Sequence, residues 1–128
     1  MKPSFDKLIA RIAGLGVPGL VLVIAMSATG WVGGAAIVTA LAALGGPLGM
    51  LGGIALLGVL VMISKGLAEY GFEKTYKAVL DELCKKGHTQ EEILKKIDAY
   101  PISANLKAIL RDHINRFFAD KKEANVQP

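Results

Sequence analysis

Ile12–Ser64 reads IAGLGVPGLVLVIAMSATGWVGGAAIVTALAALGGPLGMLGGIALLGVLVMIS, 53 consecutive residues without Asp, Glu, Lys, Arg or His. A helix lying on a soluble core keeps a wet face that favours charge. A bilayer-spanning helix takes about 20 apolar residues per crossing. The stretch therefore predicts two crossings joined by a turn. Pro18 suits the first turn of a helix, where its missing N–H costs nothing, and the first span is expected over 18–44. Gly45-Gly46-Pro47 forms the turn, and a second span follows over 48–64. The first span is longer than the ~30 Å hydrocarbon core, so it should tilt or bend, with Gly33-Gly34 as the natural place.

Charge flanks this block on both sides. The first 16 residues carry Lys2, Lys7 and Arg11 against Asp6. Within them Phe5, Leu8, Ile9 and Ile12 recur at helical spacing, an amphipathic lead-in over residues 1–16. Such a segment can lie among lipid headgroups. The basic start resembles the n-region of a signal peptide, but the apolar run continues far past the 7–15 residues of an h-region.

From Lys65 onward there are 12 basic and 10 acidic residues, a mixed and solvated surface. No dense basic block appears, and the net charge is only +4. Nucleic acid is therefore not the expected partner. This tail, residues 65–120, reads as a cytoplasmic bundle of about three helices. Phe72, Tyr76, Leu80 and Leu83 form one stripe, on a helix that can run on from the second span and stops at Gly87. Thr89-Gln-Glu-Glu92 is a capping box that opens a second helix, which Pro101 ends. Ser103 caps a third, with Leu106, Ile109, Leu110, Ile114 and Phe117 on one face. Residues 121–128 are expected to be disordered. A core of this size is marginal alone, so the tail should pack on other copies, a partner or the membrane.

Basic residues favour the cytoplasmic side of a membrane. They precede the first span and follow the second, while the turn has none. Both termini are thus expected in the cytoplasm, with the protein integral to the cytoplasmic or inner membrane.

Small residues recur every four positions in the spans. Gly45, Gly49 and Gly53 form one G-x-x-x-G-x-x-x-G pattern, Gly30 and Gly34 another, with Gly33 on an adjacent stripe of small residues. In lipid no hydrophobic force drives helices together, so close backbone approach at glycine does. These glycines are the expected packing surfaces of the hairpin and of a homo-oligomer.

No ionisable residue lies at membrane depth, which argues against ion-coupled transport and proton relays. Cys84 is the single cysteine, so an internal disulfide is excluded. Cys84 and His88 are four apart, but Gly87 interrupts the helix between them; no catalytic, cofactor or metal site is expected. In format the chain resembles holins, bacteriocin-like peptides and membrane effectors of bacterial defence, which share the small size, the glycine-zipper hairpin and the charged tail.

Three functions are expected to compete. One is an oligomer that forms a pore or permeabilises the bilayer under control of the tail. Another is a membrane-anchored adaptor, docking a cytoplasmic protein through Ile93, Leu94, Ile97, Leu106, Leu110 and Phe117. In the last, a soluble form shields the hairpin under amphipathic helices before insertion, as pore-forming colicins do.

Overall fold

The computed structural model describes residues 5–29, 52–100 and 102–126, which form six helices and no strand. They are α1 (Phe5–Ala13), α2 (Val17–Thr29), α3 (Gly52–Tyr70), α4 (Phe72–Lys85), α5 (Gln90–Ala99) and α6 (Ala104–Val126). The expected all-helical fold class holds for these residues. The turn at 45–47 and most of the first span lie outside the described residues. What is described of that span is its opening, α2. Of the expected second span, residues 52–64 fall in α3, which continues through Gly66 to Tyr70.

Glycine sets the joints. Leu15 and Gly16 donate from their backbone N–H to Ile12 and Ala13 at 3.1 and 2.9 Å, and Gly16 turns at φ +78°. Only glycine adopts that left-handed backbone without strain. The chain thereby bends by 113° between α1 and α2. Gly71, at φ +86°, breaks α3 from α4 in the same way. Its carbonyl accepts from both the Thr75 N–H (3.2 Å) and the Thr75 hydroxyl (2.7 Å), which explains why Thr75 is fully buried yet satisfied.

The tail follows its sequence signals closely. Gly87 N–H reaches the Cys84 carbonyl and His88 N–H reaches that of Leu83, both at 3.0 Å, the paired bonds of a Schellman stop. Thr89 accepts from Glu92 N–H at 3.2 Å, and Ser103 from Leu106 N–H at 3.1 Å, each satisfying an otherwise orphaned donor. Tyr100 is extended at ψ 136°, as the residue before a proline must be. The last helix runs to Val126, several residues beyond the end expected from the sequence, and its residues 121–124 are exposed.

Packing is centred on α2 and α4. The helix α2 touches all five others, and α4 touches α1, α2 and α3. The helices α5 and α6 lie against each other. Gln90 donates to Asn115 at 2.9 Å, Lys107 Nζ to the Asp98 carbonyl at 2.8 Å, and Arg111 pairs with the Asp98 carboxylate. Ion pairs such as Lys77–Glu73 (3.2 Å) and Lys96–Glu92 (3.4 Å) are exposed and add little stability.

Candidate functional site

The unusual feature is α2. Val21, Leu22, Val23 and Ile24 are each 0% exposed. Successive helical residues point about 100° apart, so four in a row cover every side of the helix. Leu20, Ala25 and Met26 are buried as well, and exposure returns only at Ser27. An apolar-all-round helix belongs either in the core of a large protein or in a bilayer. Here it lies inside a 128-residue chain, packed against α3 and against α1, α4, α5 and α6, whose outer faces are charged.

The cover consists of amphipathic helices that turn their apolar stripes inward. From α1 come Leu8, Ile9 and Ile12, and from α4 Tyr76, Val79, Leu80 and Leu83. From α5 come Ile93 and Ile97, and from α6 Leu106, Leu110, Ile114 and Phe117. Their opposite faces present Asp6, Lys7, Arg11, Glu73, Lys85, Lys95, Asp112 and Arg116 to solvent.

The docking stripe expected from the sequence falls within this core. Ile93, Ile97 and Leu110 are fully buried, Leu106 and Phe117 nearly so, and Leu94 partly. Leu94 lines an open surface groove with Glu91, Lys95 and Asp98, whereas the other five are covered by the chain's own helices. Of the glycines expected to pack spans, Gly30, Gly33, Gly34, Gly45 and Gly49 lie outside the described residues, and Gly53 falls in the first turn of α3.

The helix α3 is less completely covered. Val61 is 49% exposed, and an open groove of about 300 Å³ runs between α3 and α1, lined by Leu8, Val61, Met62, Lys65, Gly66 and Tyr70. Among the described residues no single helix is long and apolar enough to cross a membrane. The helices α1 and α2 meet that criterion only together, across their bend.

An aromatic cluster fastens α4 to α6. Phe72 and Tyr76 stack at 4.8 Å, and the His113 ring stands edge-on to both at 5.1 and 5.3 Å. His113 Nδ1 lies 2.8 Å from the Ile109 carbonyl, which fixes the ring. Periodicity placed Phe72 and Tyr76 on one stripe, equally consistent with a core face or an aromatic belt beside a membrane, and gave no sign of His113, an isolated histidine.

Burial raises the hydroxyl pKa of Tyr76 and Tyr100 above the ordinary 10.0, with Glu73 adding to the effect at Tyr76. The neutral hydroxyl is the form the fold favours. That contribution is intact below pH 10.0 and is lost as pH rises through the higher folded values. The urea midpoint should therefore fall between about pH 9 and about pH 11. It should fall less steeply in Tyr76→Phe; equal slopes would exclude Tyr76 as a contributor.

Burial likewise raises the Cys84 thiol, an effect that Lys121 partly offsets, leaving a weak nucleophile. Gly87, at φ +99°, ends the helix between Cys84 and His88, and His88 Nδ1 turns instead to Glu92 at 3.0 Å. Among the described residues no group of three or more His, Cys, Asp or Glu is placed to hold a metal.

No known protein family, curated protein or solved structure matches the chain.

Proposed function

We propose that this is a membrane-inserting protein, which stores the apolar helix α2 beneath amphipathic helices and releases it, with the rest of the uncharged block, into a bilayer. There, glycine-lined faces assemble it into a pore or permeabilising oligomer. One observation carries the reading: α2 is apolar and buried on all sides, packed against α3 and against α1, α4, α5 and α6, whose outer faces are charged.

The hydrophobic free energy of α2 is similar in the two environments. Burying Leu20, Val21, Leu22, Val23, Ile24 and Met26 is worth on the order of 10 kcal/mol relative to water. A bilayer offers a comparable gain, since lipid tails are as apolar as leucine. Leaving the core for lipid thus forfeits little hydrophobic free energy, whereas leaving it for water forfeits nearly all. In the inserted form the spans 18–44 and 48–64 would cross the membrane, with both basic flanks on the cytoplasmic side. The occupied α5–α6 stripe favours a role as cover over a role as a docking face for another protein.

The test uses the full chain purified without detergent and vesicles of phosphatidylglycerol and phosphatidylcholine loaded with dye. The expected result is a soluble wild type that releases dye, and a Gly49→Leu variant that binds vesicles but releases at least about tenfold less. A protein extracted from cells only by detergent would overturn the stored form. A soluble protein that never binds vesicles would overturn insertion.

A further inference from the structure

The short helix α1 is seated on three parts of the molecule at once. The Ile12 carbonyl lies directly over Gly19 of α2; a Cβ built at Gly19 would sit 2.2 Å from that oxygen. Backbone on both sides makes this contact rigid, so any larger residue must push the helices apart. The Leu8 side chain fills the space above Gly66 of α3, with Cδ2 2.6 Å from where a Cβ would be. The Phe5 ring stands edge-on to Tyr70 at the end of α3, centroids 4.6 Å apart. Lys74 Nζ, at the start of α4, lies 4.9 Å from the Phe5 ring and 5.6 Å from that of Tyr70.

Both joints beside these contacts turn on glycine at positive φ: Gly16 between α1 and α2, and Gly71 between α3 and α4. A Cβ at Gly71 would meet nothing within 4 Å, so that joint needs its glycine for backbone conformation and not for space. Gly19 and Gly66 are different, because their missing side chains are the sockets that receive α1.

We infer that α1 is a clasp, whose seating on Gly19, Gly66 and the Tyr70–Lys74 joint holds α2 under its cover, and whose detachment frees α2. The purpose of the clasp rests on the membrane-insertion reading; its behaviour in solution does not. When α1 lifts, the 113° corner is no longer held, and α1 can swing away from α2 about Gly16, with Pro18 still opening α2. The cover helices α5 and α6 keep their mutual contacts throughout.

Amide hydrogen exchange, read by mass spectrometry on the full chain, tests this directly. Gly19→Ala should speed exchange about tenfold or more in both 5–13 and 17–29, with α5 and α6 unchanged. Phe5→Ala, a milder lesion that leaves both sockets intact, should affect the same two segments about threefold. Gly58→Ala is the control, since a Cβ there meets nothing within 4 Å; it should change neither segment.

Faster exchange in α1 with α2 still at wild-type protection would overturn the clasp. So would an equal rise across α5 and α6, which would mean general loss of stability. If Gly19→Ala does not fold, Phe5→Ala decides by the same criteria. Dye release from the phosphatidylglycerol vesicles separates the two readings. Coupled opening with faster release supports both. Coupled opening with no release from any variant removes membrane insertion and leaves the clasp standing. Faster release without coupled opening removes the clasp.

Discussion

An aspartate in place of Ile24 is expected to leave the chain without a cooperative thermal transition in detergent-free buffer. Ile24 is 0% exposed, in a helix with no basic residue among Val17–Thr29 to pair with a carboxylate. Removing the isoleucine side chain forfeits about 2–5 kcal/mol. Burying an unpaired carboxyl adds several more, even if it escapes part of the penalty by staying protonated. A domain holds only about 5–15 kcal/mol in total. Ser27→Asp, three residues along at an exposed position, should melt like the wild type. Far-UV circular dichroism against temperature measures both. A wild-type transition in Ile24→Asp would mean that α2 is not in the core in solution.

The second large effect is expected at Tyr76. Its side chain is 2% exposed, stacks on Phe72 and meets the His113 ring edge-on. Tyr76→Ala removes the centre of the cluster that ties α4 to α6, at a cost of about 3–5 kcal/mol. Tyr76→Phe keeps the ring and should lie within about 1 kcal/mol of the wild type near neutral pH. Urea denaturation gives both numbers. Because α4 contacts α1, α2 and α3, its loosening should also accelerate dye release by Tyr76→Ala. A variant that loses stability without releasing faster would weigh against the closed form being the inhibited one.

The cluster also shows where reading the chain by periodicity stops. Phe72, Tyr76, Leu80 and Leu83 announce an inward stripe by their spacing, and Tyr76, Leu80 and Leu83 are buried. The caps at Thr89 and Ser103 and the stop at Gly87 were equally legible, because they depend on side chains and backbone within a few residues of each other. His113 was not, since its partners are some 40 residues away in sequence. The sockets at Gly19 and Gly66 were also hidden. A glycine in an apolar helix looks the same whether it meets a neighbouring copy, another span or a carbonyl of the same chain.

What the sequence by itself determined is the helical class, the capping and stopping of the tail helices, and the concentration of apolar residues in one uncharged block. Those are local properties, set by propensity, spacing and hydrogen bonds between near neighbours. What only the tertiary structure decided is where the block's first helix goes. Hydropathy says that α2 must leave water, but an apolar surface gains about as much from a protein interior as from lipid, so composition cannot choose between them. The choice falls to the amphipathic helices, whose stripes are wide enough together to enclose α2, and to the glycine sockets that let α1 close over it.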